Sequence, residues 1–233
     1  MPWLAFVNRA ICLRRNHREG LLSANAVAGK ATAEITPMQL VGEIAEDEVV
    51  CTFLAADLAS PRDCADLALS RLAARDVGPE ALDRDSNSPG SKPGLNELRR
   101  RVLCECHGAT LAGFPAATTT WHRAELLDDD ELYLMDYHEF RDWTADTLRP
   151  SDAVAGFREN RTLDAAVEAI TRGEAMAPSI CVARSTSAPA VVLDGSQRAV
   201  AKAHLRTPRP EPILLGISAG IAGWNFYPRR HIR

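Results

Sequence analysis

Residues 190–205 read AVVLDGSQRAVAKAHL, and the fold turns on them. The run from Ala190 to Asp194 is short, apolar through its centre and rich in β-branched residues, which predicts a strand interior to a sheet. Gly195 breaks it, and Ser196 is expected to cap a helix over QRAVAKAHL that ends before Thr207-Pro208-Arg209-Pro210. Next, EPILLG (211–216) predicts another strand. Upstream, Thr162 is expected to cap LDAAVEAITRG, where Leu163, Val167 and Ile170 form one apolar stripe and Gly173 is the stop. SICVAR (179–184) predicts a strand and STSAP a turn. Helices alternating with buried strands place this part of the chain in the α/β class, as a small mixed sheet with flanking helices.

The stretch Asp194-Gly195-Ser196-Gln197-Arg198 has the chemistry of an anion site. A helix start carries N–H groups without partners and the positive end of the dipole. Gly195 can adopt backbone angles closed to other residues, so a phosphate could come close to the main chain. Ser196 and Gln197 add side-chain donors, and Arg198 in the first turn can fork onto phosphate oxygens. Asp194 stands at the carboxyl end of its strand, where open α/β sheets bind ligands. It could hold magnesium, orient the arginine, or simply cap the helix.

From Leu148 to about Gly216 the chain resembles the ParB/sulfiredoxin-like domain, which is shared with free-serine kinases. The resemblance is carried by Leu148-Arg149-Pro150, by the helix AVEAITRG, by the strand SICVAR after Pro178, and by VVLDGSQRAVAKA in the place of the family's Asp-Gly-His-His-Arg turn and small-residue helix. Both histidines are replaced, by Ser196 and Gln197. Sulfiredoxins need a cysteine in this turn, so the resemblance does not extend to their chemistry. Partition proteins continue into a DNA-binding region, whereas about 17 residues follow Gly216 here, so a partition role is not expected. The kinases use a glutamate near the substrate hydroxyl. Glu159, in Phe157-Arg158-Glu159-Asn160, is the matching acid, with Asp136 and Glu139 as competing positions.

The rest of the 233-residue chain bounds the reading. Apolar residues make up 46% and charged residues 25%, as in an ordinary globular protein. A net charge of -4 gives no sign of a nucleic-acid partner. Lysine occurs only at Lys30, Lys92 and Lys202, an arginine-for-lysine usage that suggests a GC-rich bacterial genome. The N-terminal MPWLAFVNRAICLRRN puts its apolar run before its charge, the reverse of a secretory signal, and nothing approaches a membrane span, so a cytoplasmic location is expected. Residues 1–118 are expected to form a mostly helical region. In it MQLVGEIAED reads as a helix after Thr36-Pro37, VVCTFLAADL (49–58) as a buried strand, PRDCADLALSRLAARD as a helix capped by Ser60, 83–95 as a flexible loop, and NELRRRVLCECHG as a helix stopped by Gly108. The six cysteines are expected to be reduced and mostly buried. Cys104, Cys106 and His107 have zinc-ligand chemistry but no second pair at the usual spacing.

Residues 119–233 are then the α/β domain. Asp128-Asp129-Asp130-Glu131 is expected to open a helix rather than hold a metal. GISAGIAGWNFY (216–227) could be a glycine-rich loop beside the phosphate turn, with Trp224 or Tyr227 lining a substrate pocket, or a closing strand whose aromatics pack on the core.

These readings together imply a nucleotide-dependent, kinase-like phosphotransferase acting on a small hydroxylated metabolite, such as an amino acid. Gly195, Ser196, Gln197 and Arg198 would hold the phosphates of ATP, ADP or another nucleotide. Asp194 would bind Mg2+, and Glu159 would take the substrate hydroxyl proton. Two alternatives stay open: a non-catalytic nucleotide-binding regulator, with the N-terminal helices as its partner surface, and a ParB-like nuclease or phosphohydrolase. An oligomer is compatible with all three.

Overall fold

The computed structural model describes residues 37–59, 63–79, 95–128, 132–135, 149–150 and 161–228. In chain order these form strand β1 (Met38–Ile44), helices α1 (Glu46–Ala59), α2 (Asp63–Ala73) and α3 (Leu95–Leu111), and strands β2 (Thr120–Leu126) and β3 (Leu132–Leu134). Helix α4 (Arg161–Thr171), strands β4 (Ser179–Ala183) and β5 (Ala190–Asp194), helix α5 (Ser196–Leu205) and strand β6 (Glu211–Ile217) follow. Short 3-10 turns lie at Ala116–Thr118 and Ala219–Gly223.

The strands make one mixed sheet in the order β1-β2-β6-β4-β5-β3. β4 runs parallel to β6, and β3 parallel to β5, while the other neighbours are antiparallel. The expected α/β class is therefore the observed one: a small mixed sheet flanked by helices. β4 and β5 are buried at every position, as their unbroken apolar runs require of strands covered on both faces.

Alternate residues of β4 sort the two faces. Ile180 and Val182 join a core with Phe53, Leu54, Val102 and Trp121, which the α1–α3 layer covers. Cys181 and Ala183 join a second core with Val192, Leu215, Leu163 and Val200, covered by α4 and α5. The parts drawn on either side of residue 119 thus share one sheet and one core.

The N-terminal assignments are corrected at two places, in opposite senses. MQLVGEI is strand β1, not a helix, and residues 49–58 lie in helix α1, not a strand. β1 is an edge strand exposed along most of its length, with Val41 bulged out of its register with β2, so it has no alternating pattern to read. α1 packs on α2, α3 and β2, and burial of Val49, Val50, Phe53, Leu54 and Asp57 makes it apolar nearly all round. Its acidic first turn, Glu46-Asp47-Glu48, marks the helix start.

Three smaller expectations also change. α3 passes through Gly108, kinked at His107 (φ -121°, ψ 21°), and ends at Leu111. Residues 132–134 are strand β3, and residues 129–131 lie outside the described residues. Gly195, not Ser196, is the N-cap of α5, and Thr162 lies inside α4 rather than at its cap. Ser60 and residues 83–94 lie outside the described residues.

Candidate functional site: the turn between β5 and α5

The register fixes where the turn lies. Ile180 pairs with Asp194 and Ser179 with Ile213, so the end of β5 meets the beginnings of β4 and β6. Gly195 then turns the chain at φ 90°, ψ 24°, a left-handed conformation that favours glycine. α5 starts at the next residue, and no side chain caps it. Asp194, a possible cap from sequence, instead accepts a hydrogen bond from Arg198 Nη2 to Oδ2 at 2.8 Å. That ion pair is largely shielded, with side chains 9% and 15% exposed for Asp194 and Arg198.

The guanidinium lies directly over the glycine. A Cβ at Gly195 would stand 2.6 Å from Arg198 Nη2 and 3.0 Å from its Cζ and Nε. Arg198 Nε is buried and has no hydrogen-bond partner, and the same holds for Ser179 Oγ. Ser179 is 1% exposed and pairs with Ile213 of the α5-side core, so its hydroxyl is on the face that α5 covers. Two buried polar groups without partners therefore sit at the end of the sheet where an uncapped helix begins.

A second ion-pair cluster adjoins the first. Glu211, at the start of β6, accepts from Lys202 Nζ at 2.5 Å and from Arg209. Lys202 is one helical turn beyond Arg198, so the two cations lie on one stripe of α5. Cys181 sits among these groups. Burial first, then the charge of Glu211, raises its thiol far above the ordinary range, against the smaller opposing effects of Lys202 and Arg198. It is a core side chain rather than a nucleophile.

Of the residues singled out in the sequence, Asp194, Gly195, Ser196, Gln197 and Arg198 are together on the turn. Glu159, Asp136 and Glu139 lie outside the described residues. Trp224 and Tyr227 are not at this site. β6 finishes beside Ala183, at the opposite end of β4 from Ser179, and the 3-10 turn that follows carries both aromatics into the α1–α3 core. Each is 2% exposed. Trp224 Nε1 donates to the Thr110 carbonyl at 3.0 Å, and Tyr227 Oη to that of Pro189 at 2.9 Å. The aromatics close the core, and the glycines turn the chain toward it, away from the phosphate turn.

Magnesium on Asp194 does not fit this arrangement. The carboxylate is already paired with a guanidinium, whose charge would oppose a cation beside it. Nor do Cys104, Cys106 and His107 gather a metal. His107 Nε2 meets Asp57 Oδ2 at 2.7 Å. Burial, followed by the nearby Glu46 and Glu105 carboxylates, pushes the Cys104 thiol up. Among the described residues no three His, Cys, Asp or Glu side chains cluster in the way a metal ion requires.

Ser179, Lys202, Glu211 and the buried Asp57–His107 pair escaped the sequence reading. Lys202 had a signal, since Asp194, Arg198 and Lys202 recur every four residues. Ser179 had only its polarity at the head of an apolar strand. Asp57 and His107 are 50 residues apart and meet only through the packing of α1 on α3. No helix among the described residues is long and apolar enough to cross a membrane. Compared with protein-family models, with curated proteins and with solved structures, the chain finds no match, and the resemblance to the ParB/sulfiredoxin-like domain rests on its quoted residues.

Proposed function

We propose that this chain binds a nucleotide through its phosphate groups at the turn Gly195–Arg198 and transfers phosphate to a small hydroxylated metabolite. The reading is carried by one observation: donors without a protein acceptor lie at the end of the sheet where α5 begins. They are the helix start without a side-chain cap, Arg198 Nε and Ser179 Oγ. A phosphate oxygen supplies the acceptor each lacks, and the helix dipole and the Arg198 charge favour its negative charge. Phosphoryl transfer needs mainly positioning and charge neutralisation, which such a turn can give. Glu159 is the acid that the family resemblance puts near the substrate hydroxyl.

A second reading, a nucleotide-binding regulator without turnover, is favoured by the commitment of Asp194 to Arg198, which withdraws that carboxylate from metal or proton chemistry. A melting-shift screen with ATP, ADP and CTP tests the shared core of both readings. Wild type is expected to be stabilised by at least one nucleotide and Arg198→Ala by none. Stabilisation without phosphorylation of any candidate amino acid or other hydroxylated acceptor selects the regulator. No stabilisation of wild type by any of the three removes both.

A further inference from the structure

We propose that Asp194 is an internal competitor of the ligand: it holds Arg198 over the turn, and a phosphate group binds by drawing the guanidinium off Asp194. This rests on the phosphate-binding reading of the turn and adds how that site is regulated.

The ion pair occupies the position a ligand would need. The space in front of the Gly195 Cα, where a phosphate would approach the backbone, is filled by the Arg198 guanidinium. Only 15% of the arginine side chain and 9% of the aspartate side chain are exposed, so an anion that takes Arg198 has to compete with Asp194 for it, beside the half-buried Ser196 and Gln197. Asp194 thus stands in for the anion. It supplies the carboxylate oxygen that Arg198 Nη2 uses, and it leaves Nε without an acceptor. Ser179, one residue before the partner of Asp194 in β4, keeps a buried hydroxyl on the α5 face with no partner at all. A carboxylate has two oxygens in one plane, whereas a phosphate offers oxygens in several directions. Anchored on the start of α5, the phosphate can take Arg198 by both Nη2 and Nε and accept from Ser179 as well. It would also sit beside the Asp194 carboxylate, and repulsion between the two anions makes the exchange of partners a competition rather than joint binding. Lys202 and Arg209 do not take part, because Glu211 holds both.

The test is calorimetric titration with inorganic pyrophosphate and with ATP, in chelator, on wild type, Asp194→Asn and Asp194→Asn/Ser179→Ala. Removing the competing carboxylate charge is expected to tighten binding on the order of tenfold, the factor expected when the bond to be broken changes from one with a charged acceptor to one with a neutral acceptor. Adding Ser179→Ala should return several-fold of that gain. Equal or weaker binding by Asp194→Asn, with wild type still binding, overturns the competitor and leaves phosphate binding at the turn standing. Failure of every variant to bind either probe refutes the phosphate reading and the competitor with it. Should Asp194→Asn not melt cooperatively, the Arg198 Nε–Hε resonance of wild type, assigned with Arg198→Ala, decides the matter. It should move as pyrophosphate saturates the protein, and saturation without movement overturns the proposal.

Discussion

Replacing Gly195 with alanine tests the geometry of the turn in two separable parts. The first is backbone: at φ 90° an L residue sits outside its comfortable regions, which costs about 1–2 kcal/mol. The second is the guanidinium. The new methyl would lie 2.6 Å from Arg198 Nη2, well inside contact distance, so the arginine must swing away and give up its bond to Asp194. A largely buried bond between charged groups contributes about 1.5–3 kcal/mol. The smaller unfolded-state entropy of alanine returns about half a kcal/mol. The expected net loss is about 2–4 kcal/mol, which for a chain of this size lowers the melting temperature by roughly 5–15 °C. Urea denaturation of Gly195→Ala, Arg198→Ala and the double variant separates the parts. With Arg198 already truncated, Gly195→Ala should cost only the backbone share, about 1–2 kcal/mol, leaving a coupling of about 1–3 kcal/mol between the sites. Equal costs in the two backgrounds would refute the placement of the guanidinium over the glycine.

Three further outcomes follow from the packing. His107→Ala strands the Asp57 carboxylate, 1% exposed and with Oδ1 already unpartnered, so about 3–5 kcal/mol of stability should be lost in a denaturant titration. Tyr227→Phe leaves the buried Pro189 carbonyl without its donor and should cost about 1–3 kcal/mol while leaving nucleotide affinity unchanged, as measured by melting curves with and without ATP. A tenfold loss of affinity would return Tyr227 to the site. Glu46 has a raised pKa, chiefly from burial against the opposing pull of Arg100. A carboxyl whose folded pKa lies above its unfolded value costs stability while ionised, and the cost disappears as pH falls through the folded pKa. Glu46→Gln should therefore melt no lower than wild type at pH 7, where Asp47 still holds Arg100, and any advantage should shrink toward pH 4.

How much could be read in advance depended on how each segment is covered. β4, β5, α5 and β6 were legible because the strands are short apolar runs closed by a glycine, a proline or a cap, and each boundary has a local chemical cause. The segment from Met38 to Ala59 was not, because its burial runs against the usual assumptions. A strand open on both faces lost its alternation, and a helix packed on several sides lost its polar stripe. Apolar content measures burial, and only periodicity distinguishes helix from strand. When both are flattened, the acidic run Glu46-Asp47-Glu48 was the remaining sign, because three carboxylates in succession suit the first turn of a helix better than the interior of a sheet.

The turn itself was legible as a place and less so as a mechanism. The sequence offered Asp194 as a group that could orient Arg198, and the ion pair between them is what the structure shows, formed across the left-handed turn at Gly195. It could not tell whether the pair is the working arrangement or the resting one, since that depends on what else borders the turn. The groups that bear on it are on β4 and at Gly195. A serine hydroxyl and an arginine nitrogen are buried there without a protein partner. If Asp194 were there only to secure α5, the arginine would be satisfied and the serine would be better replaced by alanine, which fits an apolar strand without a hydroxyl to satisfy. Under the phosphate reading proposed above, an anion would complete the set. On that proposal, the carboxylate that looked from sequence like a metal ligand would act as the site's own substitute for the anion.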